Sequence, residues 1–194
     1  MEFKDLPKEV YDKVYSQYHT DAARVRGNVL NAACALEMSI DLYITDHFTN
    51  DVDKSEELMN LIIAPRMSFE NKVQAFFVLL ERHNPTILTE NPTIKNDLIK
   101  QIIEERNVLA HYPLDSTDWG LKRYYDTGDL TFFKFKNVRE SNGEGKPKET
   151  KLTNTVIYNM TKAGDLLKLI DKYHEIIAAS INGYRGDNAP PPTL

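Results

Sequence analysis

Arg106-Asn107-Val108-Leu109-Ala110-His111 closes a strongly helical segment, and Pro113 ends that helix just beyond it. Asn107 and His111 are four residues apart, so they share one helix face. Arg106 lies about 140° around an ideal helix from His111. Its long side chain, with local unwinding before Pro113, would bring the guanidinium back toward the imidazole. An unperturbed imidazole titrates near pH ~6.5, which suits proton transfer at neutral pH. A guanidinium grips phosphate with two parallel hydrogen bonds, and an amide orients either partner. These groups meet the needs of RNA cleavage by the RNA's own 2′-hydroxyl, which takes a base, an acid and positive charge on the phosphorane-like transition state, and no metal. His111 is the candidate acid or base, Arg106 the charge clamp and Asn107 the orienting donor. One chain supplies one such histidine, and a symmetric dimer meeting through this helix end supplies two.

A purely structural reading of the same residues competes with this one. Arg106 could pair with Glu37 or Glu105, while Asn107 and His111 satisfy carbonyls at the helix end. Downstream, Lys122, Arg123 and Tyr124, with Tyr125 and Trp119, mix charge and aromatic rings as an RNA-contacting loop would. An ordinary solvated loop with its rings on the bundle is the favoured account of them. His174-Glu175 begins like a zinc-protease helix, but Ala178 stands where the second histidine belongs. His19, His47 and His83 have no Cys or His partner at metal spacing and read as surface or boundary residues. Asp51 and Asp53 read as loop punctuation. No metal and no cofactor is expected.

The elements that position the motif follow from apolar spacing. Helices are predicted over residues 7–19 and 21–48, with Asp21 as the second helix's N-cap and Gly27 as a candidate kink. Val29, Ala33, Leu36, Ile40, Tyr43, Ile44 and Phe48 define a wide apolar stripe. A short helix over 55–64 stops before Pro65. Ser68 caps a helix to about His83 that buries Phe69, Val73, Phe76, Phe77 and Leu80. Asn91-Pro92 starts the motif helix, with Ile94, Leu98, Ile102 and Leu109 along one side. That helix ends near 110–112, because Pro113 lacks an N–H and crowds the Leu109 carbonyl.

Residues 130–138 and 150–158 are rich in aromatic and β-branched residues around a polar, glycine-containing stretch at 140–148. They read as a β-hairpin with a long mobile tip. Thr161 opens a final helix with Leu166, Leu169, Ile170, Tyr173, Ile177 and Ile181 buried. The expected architecture is a mostly α helical bundle, one domain over residues 1–184, with the hairpin (about 130–158) inserted between the last two major helices. Residues 185–194 read as a disordered tail.

Composition sets the outer bounds. The chain has 194 residues, 41% hydrophobic and 27% charged, which is ordinary for a globular protein that needs no disulfide or metal. A net charge of −5 argues against a nucleic-acid-coating surface but leaves room for a local basic groove. Cys34 is the only cysteine and sits in an apolar run, so it reads as a small core residue in a reducing, cytoplasmic protein. The start of the chain lacks the apolar stretch of a signal peptide. The segment from Val29 to Phe48 is broken by Asn31, Glu37, Asp41 and Asp46, so no membrane association is expected.

Arg-Asn-x-x-Ala-His at the end of a bundle helix resembles the Arg-x(4–6)-His signature of HEPN domains, in which a polar residue commonly follows the arginine. A preceding helix of the type Ser68-Phe69-Glu70-Asn71-Lys72-Val73, an acidic residue in an early long helix (Glu37) and a helix after the motif add to the likeness. It covers roughly residues 21–112 and 160–182; the hairpin falls outside it. The resemblance implies an α-helical bundle forming a homodimer, with paired motifs making one metal-independent endoribonuclease site in the cleft. It implies catalytic roles for Arg106, Asn107 and His111, with Glu37 as a structural partner. RNA would be the substrate, with an antitoxin or regulatory protein as a further partner in a toxin–antitoxin or defence setting. A similar string occurs in relatives resembling the mannitol operon repressor, so a non-catalytic dimeric binding or regulatory module is the alternative.

Overall fold

The computed structural model describes residues 6–49, 51–138 and 149–187. In chain order they form α1 (Lys8–Phe48), α2 (Val52–Leu58), a π-helical segment (Met59–Ile63), α3 (Ala64–Arg66), α4 (Phe69–His83), α5 (Pro85–Glu90) and α6 (Ile94–Asn96). A second π-helical segment (Asp97–Ile103), α7 (Glu104–His111), α8 (Asp118–Thr127), β1 (Leu130–Val138), β2 (Glu149–Tyr158) and α9 (Met160–Asp187) follow. The fold is therefore mostly α with one antiparallel β-hairpin ahead of the last helix, as the residue pattern predicts. The chain divides into two compact units, one of residues 1–30 and 106–165, the other of residues 31–105 and 166–194. The expected hairpin tip at 140–148 and the tail beyond residue 187 lie outside the described residues; residues 185–187 belong to α9.

The first two predicted helices are one. Asp21 does not cap a helix; it lies inside α1 at 8% exposure, accepts from Arg24 Nη2 at 2.8 Å and takes the Tyr124 hydroxyl proton donor on its other oxygen. Thr20 donates its hydroxyl back to the Ser16 carbonyl at 2.9 Å. The apolar line Tyr18, Ala22, Val25, Val29, Ala33, Leu36, Ile40 crosses the expected break without a change of period, and every member is buried. Burial of that stripe outweighs the ~1 kcal/mol that Gly27 costs relative to alanine. Two smaller expectations also fail here. Phe48 is 66% exposed at the end of the stripe, and Cys34 is exposed, because it sits one residue, about 100°, off the Ala33 line.

In the unit of residues 31–105 and 166–194, α4 runs from its Ser68 cap, whose hydroxyl accepts from Asn71 N at 3.3 Å. Its five predicted core residues are all buried, and Phe76 meets Tyr43 edge-on at 5.0 Å. Asp51 is an N-cap and not loop punctuation: its carboxylate accepts from the Asp53 and Lys54 amides, so α2 begins earlier than predicted. Pro65 does not stop the helical run but sits in the first turn of α3, directly after the π-helical segment, and the run continues to Arg66. Asn91 turns backward. Its amide side chain and backbone N–H both donate to the Ile87 carbonyl, closing α5, a helix the apolar pattern did not reveal.

Tyr173 of α9 is fully buried and donates its hydroxyl to Asp97. Burial, then the Asp97 carboxylate, push this phenol up from 10.0 to about 12. The folded state thus binds the phenol proton more tightly than the unfolded chain. That contribution is complete below pH ~10 and is lost as pH rises toward 12. Denaturation midpoints should fall over this window, and Tyr173→Phe should flatten part of the decline. An unchanged alkaline slope in that variant would refute the linkage.

In the unit of residues 1–30 and 106–165, the hairpin pairs Leu130 with Tyr158 and Phe132 with Val156, with an irregularity after Lys134. Leu130, Thr131, Phe132 and Tyr158 are wholly buried. Tyr18 of α1 donates its hydroxyl to the Asp115 carbonyl at 2.9 Å and lies 3.1 Å from Thr131 Oγ1, which locks this strand to the helix. Residues 118–127, read as a loop, form α8. The signals were present but weak: Thr117 precedes it, and Gly128 closes it in the left-handed region at φ 75° with its N–H on the Tyr124 carbonyl. Gly120 lies so close to the preceding turn that an added Cβ would stand 2.1 Å from the Asp115 carbonyl oxygen. Gly120→Ala should cost about 2–3 kcal/mol, whereas Gly27→Ala, with nothing within 4 Å, should be neutral or stabilising in urea titrations. Equal midpoints for the two variants would contradict that packing.

Candidate active site

The motif occupies the last turns of α7. Leu109 is buried at 1% exposure and anchors the turn, while Asn107 and His111 point to solvent and Arg106 is half-buried. The helix remains regular to its end, with Tyr112 N donating to the Val108 carbonyl at 3.0 Å. The local unwinding expected before Pro113 is therefore absent, since the i→i−4 ladder still closes there. Arg106 is held instead by Asn107. Its Oδ1 accepts from Arg106 Nη1 at 3.1 Å, leaving the amide nitrogen as a free-standing donor on the face it shares with His111. Among the described residues His111 makes no hydrogen bond, so it caps no carbonyl.

The chain beyond α7 is held firmly. Pro113 O accepts from Phe133 N at 2.9 Å, Asp115 N donates to Thr131 O at 2.8 Å, and Leu114 bridges Phe132 of β1. Arg26 of α1 donates from Nη2 to the Tyr112 carbonyl, one residue past His111, and its guanidinium lies 4.8 Å from the Phe132 ring centre. Burial pushes the Arg26 pKa down from its usual range, though arginine stays charged at any ordinary pH. This residue escaped the sequence reading. The available signal was a cation set between Val25 and Val29 of a continuous apolar stripe.

The other expected site residues have partners of their own. Lys122 pairs with Asp126, Arg123 Nη2 pairs with Asp129 at 2.9 Å and lies 6.0 Å from the Trp119 ring, and Tyr124 donates to Asp21. Burial and the Asp21 carboxylate push the Tyr124 phenol well above its usual range. All three belong to α8 and not to a loop. Glu37 accepts from Lys72 Nζ at 2.7 Å. His19 lies against Tyr15, with Ser116 Oγ 3.3 Å from its Nε2, a boundary residue as expected. Among the described residues no group of three or more His, Cys, Asp or Glu could hold a metal ion, and no helix is long and apolar enough to cross a membrane.

Chemically, the α7 terminus offers an exposed imidazole, an amide donor beside it and a guanidinium steadied by that same amide. Comparison with protein-family models, with characterised proteins and with solved structures finds no match to this chain.

Proposed function

We propose that the chain is a HEPN-type, metal-independent endoribonuclease that acts as a homodimer. The observation that carries this reading is His111: exposed, without a hydrogen bond among the described residues, and one turn from an amide that holds Arg106 Nη1 at 3.1 Å. In the proposed reaction a base removes the 2′-hydroxyl proton, the 2′-oxygen bonds to phosphorus, and the bond from phosphorus to the 5′-oxygen breaks. An acid returns a proton to that oxygen. The products are a 2′,3′-cyclic phosphate and a 5′-hydroxyl. Arg106 neutralises the crowded phosphorane charge, and Asn107 Nδ2 donates to a phosphate oxygen. Two motifs are needed because one imidazole cannot serve both ends of the reaction in a single step.

The regular end of α7 favours the second reading to a degree. With about 140° between Arg106 and His111 and no unwinding, one chain alone makes a loose site, as a non-catalytic dimeric binding module would tolerate. Incubation of mixed RNAs with the full chain and excess chelator separates the two. Cyclic-phosphate ends that persist with chelator and disappear in Arg106→Ala and His111→Ala are the expected result. Cleavage that needs a divalent ion, or survives both substitutions, overturns the proposal. RNA bound but uncut supports the binding module.

A further inference from the structure

His47 and His83, both read from sequence as isolated boundary histidines, stand against each other with ring centres 4.2 Å apart and planes tilted by 50°. Both belong to the unit of residues 31–105 and 166–194. His47 lies in the last turn of α1, and His83 is the last residue of α4. Two helix ends thus converge, each with terminal carbonyls that the helix leaves without internal partners, and that local potential favours a cation. A neutral imidazole is a metal ligand. The other charged groups on these turns are Asp46, which with Tyr43 and Ile181 lines a small cavity beside His47, and Glu81 and Arg82, both exposed on α4.

We propose that His47 and His83 form a two-histidine site for a first-row transition-metal ion, with water completing its coordination. An ion about 2.0–2.1 Å from one nitrogen of each ring holds the ring centres roughly 4.5 Å apart at a right angle and about 5 Å apart at a tetrahedral one. Imidazole nitrogen suits Cu²⁺, Ni²⁺ and Zn²⁺ alike, and rings 4.2 Å apart are close enough to share one ion. Each ring ligates through one nitrogen and keeps the other for a hydrogen bond. Burial, and next the His83 charge, hold His47 below the usual imidazole range. A bound ion would clamp the ends of α1 and α4 together and couple the stability of this unit to metal supply.

The test is calorimetric titration of the tag-free full chain with NiCl2, and separately CuCl2, at neutral pH and under acid conditions. One ion per chain is expected at neutral pH, with binding weakened at least tenfold in acid as the imidazoles take up protons. The thermal midpoint should rise by about 5 °C at a hundredfold excess of ion over its dissociation constant. His83→Ala is the decisive variant because His83 is exposed and its loss leaves the core intact; it and His47→Ala should each abolish stoichiometric binding, while His19→Ala should not. No binding by the parent chain, or equal binding by parent and His83→Ala, overturns the site. RNA cleavage is not a readout of this experiment, so it fails or succeeds independently of the nuclease reading.

Discussion

His111→Ala should lower RNA cleavage by about 10²–10⁴-fold while leaving the thermal midpoint within about 1 °C of the parent. Both halves follow from the same facts. The side chain is exposed and makes no hydrogen bond among the described residues, so the fold loses nothing with it. The proposed reaction, by contrast, loses its only candidate ring base on α7. Arg106 predicts a different pattern. Arg106→Lys keeps the charge but cannot present two parallel donors to a phosphate, nor reach Asn107 Oδ1 in the same pose. It should lose most of the cleavage rate with little change in RNA affinity, because a clamp on the transition state acts on turnover more than on binding. Asn107→Ala should fall between, since it frees Arg106 from the 3.1 Å contact that holds it. Cleavage rates under single-turnover conditions, read beside thermal melts, check all three. A His111→Ala protein that cuts as fast as the parent, or one that no longer folds, would remove the basis for assigning this residue to catalysis.

The motif was legible because chemistry-bearing side chains were set at helical spacing just before a proline. The apolar stripes were legible for a related reason. Ile94, Leu98, Ile102 and Leu109 keep one face, and all four are buried. What failed was punctuation. Asp21 and Asn91 have the side chains of helix caps, yet each is recruited by a tertiary or backward partner: Asp21 by Arg24 and Tyr124, Asn91 by the Ile87 carbonyl. Short side-chain carboxylates and amides accept several local roles of similar energy. The choice is made by residues far off in sequence, such as Tyr124, that periodicity cannot see. α8 failed for lack of a long apolar face, because its burial rests on Gly120 and Leu121 alone.

The supporting residues were hidden for a deeper reason. Arg26 and Lys72 are cations on apolar faces, where a hydrophobic count registers only interruptions. Their value lies in partners brought by other elements: the Tyr112 carbonyl for Arg26, and two carboxylates of α1 for Lys72. Glu37 was expected to support the motif, and its partner in the structure is Lys72. A lone acidic residue on a long helix names no partner by itself.

Lys72→Met should cost about 3–5 kcal/mol, the largest stability loss expected from any single side-chain change here. Lys72 is 2% exposed, and its ammonium donates to Glu37 Oε1 at 2.7 Å and Asp41 Oδ2 at 2.8 Å. Burial works against the ammonium, but the two carboxylates outweigh it and leave the Lys72 pKa above its usual range. Burial works against the Asp41 carboxylate more than the ammonium helps it, and its pKa is raised too. Both shifts are upward, which favours the charged lysine and disfavours the charged aspartate, because one cation faces two anions and Asp41 Oδ1 is buried without a hydrogen-bond partner. The lysine is satisfied, and the aspartate is only partly so. Deleting the ammonium therefore leaves a carboxylate at 4% exposure with nothing to offset its desolvation. Asp41→Leu alone should cost less, and the double variant Lys72→Met with Asp41→Leu should recover most of the loss, giving a coupling of about 2 kcal/mol or more in a double-mutant cycle. Acid gives an independent sign. Without Lys72 the folded-state pKa of Asp41 rises further, and a raised carboxylate favours the fold below its unfolded value and opposes it as pH climbs through the folded one. The deficit of Lys72→Met should be largest at neutral pH and shrink on acidification. Urea titrations of the four proteins at two pH values read the cycle directly; additive losses, or a deficit that grows in acid, would mean that this buried charge network does not hold α4 to α1.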